Sequence, residues 1–298
     1  MAEVTREYKD RLFCFIFGSE AHKDWTLSLY NAVNGSSYTD PEDITIATLT
    51  EVVYMGMHND VAFLITDEIN MYEQQSTFNP NMPLRLMQYI GNIYDKLIRL
   101  WRKNKFGKAL IRLPVPKLVV FYNGTRQAPD EQMLHLSDAF PEDRRDESDI
   151  SVRVRMININ RGRSPKLVSA CKPLHEYTWL VDQVRAREKD MPLENAVDAA
   201  LDEMPNDFLI KPYLEANRAE VRSMLLTEYN EAETMQLFKE EGRAEGRSEG
   251  RAEGLDLLGA LITRLKTLGR IDDAFRAAAD PSYRDRLLDE LMSSKAER

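Results

Sequence analysis

The chain has 298 residues, 43% hydrophobic and 30% charged, and 40 Lys+Arg against 49 Asp+Glu give a formal net charge of −9. Such a chain buries a full core without staples, and its acidity excludes a generally basic nucleic-acid coat, so any phosphate-binding surface has to be a local patch. Cys14 and Cys171 lie far apart, which excludes a disulfide framework or a zinc knuckle, and His22, His58, His135 and His175 show no i+2 or i+4 pairing that would mark a metal site. No run reaches the roughly 18 apolar residues of a membrane span, and the N-terminal MAEVTREYKDRL is unlike a signal peptide. A cytoplasmic protein without a membrane partner is expected.

The spacing predicts a first helix over 6–17, apolar through Leu12, Phe13, Ile16 and Phe17, with Gly18 as a left-handed stop. A second helix is predicted over 22–33, carrying Trp25, Leu29 and Val33 and ended by Asn34-Gly35-Ser36-Ser37. Three β-like runs follow, at 52–57, 60–66 and 69–75, and the last two read as a hairpin joined through Asp67-Glu68. After Pro80 and Pro83, Leu86, Tyr89, Ile90, Ile93, Leu97 and Leu100 recur at helical steps. The run KLVVFY at 117–122 reads as a buried central strand stopped by Asn123-Gly124. Residues 125–150 read as loop and 152–159 as a half-buried strand. From Pro173 the strand signals stop, and 174–188, 193–204 and 208–238 are helical in pattern. The expectation is an α/β fold over 1–172, a mixed β-sheet flanked by helices, with an all-helical C-terminal extension divided into 173–238 and 239–298.

Chemistry concentrates between residues 59 and 89. Side chains alternate along a strand, so Glu73 and Gln75 share one side of the third run and Gln74 takes the other. With 60–66 as hairpin neighbour, Asp60 lies near one end of the pair. Two carboxylates from adjacent strands suit Mg²⁺, an oxygen-seeking ion that takes one or two carboxylates and keeps several waters; the Gln74 backbone carbonyl is a further candidate ligand. Acids on a polar strand face also occur as solvent-facing decoration, and spacing alone leaves both readings open.

Five strings in chain order break the tie: KDRLFCFIFG at 9–18, LYNAVNG at 29–35, NDVAFLI at 59–65, YEQQSTFNPNMPLR at 72–85 and PVPKLVVFYNG at 114–124. Together they resemble the PD-(D/E)XK nuclease superfamily, in particular its recombination-promoting nuclease/putative transposase (YhgA-like) branch, over about residues 5–170. The resemblance implies a restriction-endonuclease-like core and a metal-dependent DNA endonuclease that hydrolyses phosphodiester bonds, associated with recombination or mobile elements. It implies that Asp60 and Glu73 hold Mg²⁺ (or Mn²⁺ or Ca²⁺), with Glu20 as a further carboxylate from the first helical region. Gln75 falls where many members have lysine; it positions a water or a phosphate oxygen but carries no charge, which opens the alternative of a catalytically weak or inactive DNA-binding or assembly protein. Arg85 and Tyr89 match an Arg and a Tyr on the helix after the third strand, and Arg85 suits a phosphate.

Two stretches without acids, 96–117 and 151–172, supply Arg99, Arg102, Lys103, Lys105, Arg153, Arg155, Arg161 and Arg163 as candidate DNA contacts. Contacts of this kind give non-specific affinity, and no base-reading motif accompanies them. At 240–254 the sequence EEGRAEGRSEGRAEG places glycines on one helical stripe, flanked by an Arg stripe and a Glu stripe. It reads either as a charged linker or as a helix that pairs in parallel with a second copy, Glu against Arg, making residues 239–265 a homo-oligomerisation region. Leu258, Leu261, Ile262 and Leu265 continue an apolar face, Gly269 breaks it, and 271–279 and 283–292 read as short helices.

Overall fold

The structure, a computed structural model, describes residues 12–46, 60–227 and 257–293. The chain divides into two compact units, 1–232 and 233–298.

The first unit is built on a six-stranded mixed sheet. Its strands are β1 (Ile44–Thr45), β2 (Asp60–Ile65), β3 (Glu68–Gln75), β4 (Val115–Tyr122), β5 (Glu131–His135) and β6 (Arg153–Asn158), in the order β1-β2-β3-β4-β6-β5. β3, β4 and β6 are parallel neighbours, and the remaining pairings are antiparallel. β3 and the carboxyl halves of β4 and β6 are buried because helices cover both faces. One face packs on α1 (Leu12–Phe17), α2 (Lys23–Asn34), α4 (Pro165–Ala170) and α5 (Lys172–Arg187). There the rings of Phe63, Tyr72, Phe121, Phe13 and Tyr177 follow one another at centroid distances of 5.2, 5.4, 5.2 and 5.7 Å. Tilted and edge-on pairs of this kind contribute about 0.5–1.5 kcal/mol each beyond their buried area.

The opposite face is closed by α3 (Met82–Leu100), whose buried Met82, Leu86, Ile90, Ile93 and Leu97 form one stripe against Ile69, Met71, Val120, Val154 and Met156. Pro83 sits in the first turn, where its missing N–H costs nothing. The last strand ends at Asn158, before the composition change near residue 172. The helices beyond it, α5, α6 (Leu193–Asp202), α7 (Lys211–Ala216) and α8 (218–227), contribute Tyr177, Val197, Leu214 and Leu225 to the core of the first unit.

Several local expectations need correction. The hairpin turn is Thr66-Asp67, one residue earlier than expected, because β3 pairs back to Glu68 opposite Ile65. Gly18 is not left-handed; it is required for close approach, since a Cβ there would meet the Cys14 carbonyl oxygen at 2.7 Å. Gly35 does take the left-handed cap of α2, at φ 64°. Within the expected loop 125–150 lies β5, which becomes a strand only by pairing with the outer edge of β6. The helical pattern at 208–238 starts at Lys211 and breaks at Asn217, and residues beyond 227 lie outside the described part. The 52–57 run and the 240–254 repeat lie outside it too.

In the second unit, α9 (257–267) ends at Gly269 (φ 73°) and is followed by α10 (Ile271–Ala279) and α11 (Pro281–Ser293). Their small core joins Leu261, Leu265, Ala274, Ala277 and Leu287. Among the described residues, no helix is long and apolar enough to cross a membrane.

Candidate active site

The β2–β3 hairpin sets the geometry. Asp60, the first residue of β2, stands directly opposite Glu73 of β3. Opposed residues of an antiparallel ladder share a face, with Cα atoms about 4.5–5.5 Å apart. For Glu73 that is the face under α3, and the side chain is only 2% exposed.

A carboxylate buried to this degree needs hydrogen bonds and a counter-charge. Gln75, two residues on and so on the same face, donates from Nε2 to Glu73 Oε1 at 3.0 Å and lies 2.8 Å from Met82 Sδ. Arg85 brings its Nη2 to 3.0 Å from the same Oε1. These contacts follow from where α3 begins. Met82 opens the helix, Arg85 stands one turn on and Tyr89 one turn further, a stripe that runs over Glu73. Tyr89 Oη accepts from Arg85 Nη2 at 3.2 Å, and the Arg85 side chain remains 35% exposed. Arg85 therefore bridges a buried acid and the solvent.

Gln74 faces the other way. Its Nε2 donates to Asn123 Oδ1 at 2.7 Å, and Asn123 Nδ2 donates to the Tyr177 hydroxyl at 3.3 Å. The Gln75 carbonyl accepts from the Asn123 N–H of the β4 side at 3.0 Å. Successive carbonyls alternate in direction along a strand, so the Gln74 carbonyl lies on the β2 side, where Asp60 begins its strand. Carboxylates at 60 and 73 with a peptide oxygen would be hard oxygen donors, the class that suits Mg²⁺, Mn²⁺ or Ca²⁺ rather than soft metals.

Glu20 is placed differently. It sits in the turn between α1 and α2, and its carboxylate lies 3.3 Å from Lys23. The candidate DNA contacts divide into two sets. Arg99 and Lys105 both pair with Asp95 at 2.6 Å, and the Lys105 ammonium together with Arg99 holds that carboxyl below the usual range. Arg155 grips Glu131 through Nε and Nη2 at 2.6 and 2.9 Å and donates to the Val33 carbonyl at 2.7 Å, which ties β5, β6 and α2 together. Arg161 pairs with Asp182 and Arg163 with Asp130, at 2.8 and 3.3 Å. Arg102, Lys103 and Arg153 are exposed and carry no ion pair among the described residues.

Sequence reasoning passed over Met82, Asn123, Arg126, Asn160 and Arg185. Asn123, Asn160 and Arg185 meet at the carboxyl ends of the parallel strands, and Arg126 lies in the loop after β4. Arg126 lies 4.9 Å from the Phe78 ring, and burial raises the Tyr122 phenol while Arg126 and Arg185 pull it down. The Asn123-Gly124 stop was visible in the sequence as a turn, but pairing between β4 and β6 across 30 residues of loop and edge strand leaves no local signal. Searches of family models, of curated proteins and of solved structures match nothing to this chain; its reading rests on its own residues.

Proposed function

We propose that the chain is a metal-dependent DNA endonuclease of PD-(D/E)XK type, with Asp60 and Glu73 as carboxylate ligands of one divalent cation. The observation that carries the reading is the cross-strand register of Asp60 and Glu73, with Gln75 and Arg85 converging on Glu73 Oε1. The bound cation would polarise a phosphodiester and supply a water acidic enough to ionise near neutral pH. Gln75, anchored on Glu73, orients a water or a phosphate oxygen through its amide. Arg85 offers the N–H groups of a planar fork to a phosphate oxygen at the solvent edge of the site. The phosphate contacts left to the exposed Arg102, Lys103 and Arg153 are sequence-independent. Self-association through 239–265, in parallel so that Glu stripes meet Arg stripes, accompanies this reading.

Supercoiled plasmid, incubated with the full chain and Mg²⁺, Mn²⁺ or Ca²⁺, tests it. Nicking that requires the metal and drops at least about 100-fold in both Asp60→Ala and Glu73→Ala is expected, roughly 2.7 kcal/mol of lost transition-state stabilisation. Nicking that survives both substitutions contradicts the site. A chain that binds DNA in a salt-sensitive way yet cleaves with no metal is instead the non-catalytic binding protein that the uncharged Gln75 leaves open.

A further inference from the structure

Glu73 and the start of α3 lie at one end of the sheet, and α3 runs 19 residues, about 28 Å, toward the other. Strand register places two long connections at that far end. The segment 101–114 leads from α3 into the amino end of β4, where Val115 donates its N–H to the Asp67 carbonyl of the hairpin turn at 2.7 Å. His135, the last residue of β5, stands opposite Arg153, the first of β6, so the segment 136–152 closes at the same end. β4 and β6 are paired neighbours about 4.8 Å apart, and the two connections therefore emerge side by side.

They carry opposite charge. Residues 101–114 hold Arg102, Lys103, Lys105, Lys108 and Arg112 and no acid, whereas 138–149 holds six acids against Arg144 and Arg145. Local pairs absorb part of this: Lys105 with Asp95, Arg144 with Glu147 and Arg145 with Asp138. Lys108 and Arg112 on one side, and Glu142, Asp143, Asp146 and Asp149 on the other, are exposed and carry no ion pair among the described residues. Both connections also hold large apolar side chains out to solvent, Phe106 at 88%, Leu110 at 87% and Ile150 at 56% exposure. Apolar side chains ringed by charge are the anatomy of a protein–protein interface.

We infer that this end of the sheet docks a second copy of the chain, the 101–114 connection of each copy lying on the 138–150 connection of the other. A two-fold axis between the connections sets the positive side of one copy on the negative side of its partner, and does so twice. Charge complementarity selects this occupant. A nucleic acid or an anionic lipid surface laid across the end would meet the unpaired carboxylates of 142–149, and a basic partner would meet Lys108 and Arg112. A partner bearing both signs side by side matches, and the chain itself is one. The two connections supply 27 residues, within the 20–30 a side of a standard interface. Phe106, Leu110 and Ile150 form its centre and the charges its rim. Asp60, Glu73 and Arg85 take no part, so the surface stands whether or not the chain cuts DNA, and it is distinct from 239–265.

Sedimentation velocity of the full-length chain over a concentration series at low salt tests this, with two charge-reversed variants, Lys108→Glu with Arg112→Glu and Asp143→Lys with Asp146→Lys. All four positions are exposed, so the fold is left intact. Alone, each variant sets like charge against like at both contacts and is expected to associate at least about 10-fold more weakly than the wild type. Mixed in equal amounts, the two restore opposite charges at both contacts and are expected to recover association, now between unlike copies. Phe106→Ser with Leu110→Ser, which leaves the charge unchanged, is expected to weaken it comparably. Association that either reversal leaves unchanged belongs to another surface, 239–265 included, and overturns the proposal. A wild type that stays monomeric throughout, or a mixture that recovers nothing, overturns it as well.

Discussion

Arg85 carries two duties. It is the cationic partner of Glu73 at 3.0 Å, with that carboxylate 2% exposed, and it also reaches the solvent. Removing it leaves a buried negative charge stripped of its ion pair, whereas removing both charges leaves neutral groups that Gln75 and Met82 can still satisfy. Arg85→Met should therefore cost about 3 kcal/mol of folding stability, and Arg85→Met with Glu73→Gln should cost clearly less than the sum of the single changes. Urea unfolding of the four proteins of the cycle measures this, and strict additivity would mean that the pair is not coupled. Much of this was legible in the sequence. The alternation EINMYEQQ sorted Glu73 and Gln75 from Gln74, and the helical step from Met82 to Arg85 to Tyr89 was visible. That Glu73 would be buried was not, because burial depends on α3 folding back over β3, and no local pattern states which sheet face a helix covers.

At the scale of elements, the edge strand β5 shows how tertiary pairing overrides local pattern. Its sequence, EQMLH, is short and mostly polar, and it read as loop. It is a strand because β6 offers an open edge and because Arg155 clamps Glu131 through two hydrogen bonds while a third reaches the Val33 carbonyl. The Arg155 guanidinium holds the Glu131 carboxyl below its ordinary value of 4.5. A depressed carboxyl contributes stability that is fully present above its unfolded value and is lost as pH falls through the folded one. Glu131→Gln should thus be less stable than the wild type near about pH 6, and the gap should close as the pH drops below about 4.5. Chemical denaturation at a series of pH values reads the gap; one that persists unchanged into acid would show that the clamp does not depend on the charge. The long elements were legible for the opposite reason. β4 and α3 carry sustained apolar runs whose periods agree with their burial, so local and global preferences coincide there. The Thr66-Asp67 turn was misplaced by one residue because Thr66, a β-branched residue at φ 51°, is a poor turn former on local grounds and is held there by the β2–β3 register.

Over the whole molecule, the acidic net charge and the local positive character are reconciled by position. Within the basic stretches, Arg99, Lys105, Arg155, Arg161 and Arg163 are each committed to an acid outside those stretches, and Asp95 alone takes two of them. The charge available to a polyanion is therefore narrower than the sequence suggests. The decisive measurement is Mn²⁺ uptake by the full-length chain, followed through the loss of the free-ion electron paramagnetic resonance signal. Saturable binding at one site in the wild type, abolished in both Asp60→Ala and Glu73→Ala while their folding transitions remain cooperative, is the predicted result. Equal uptake by wild type and both variants would contradict the account.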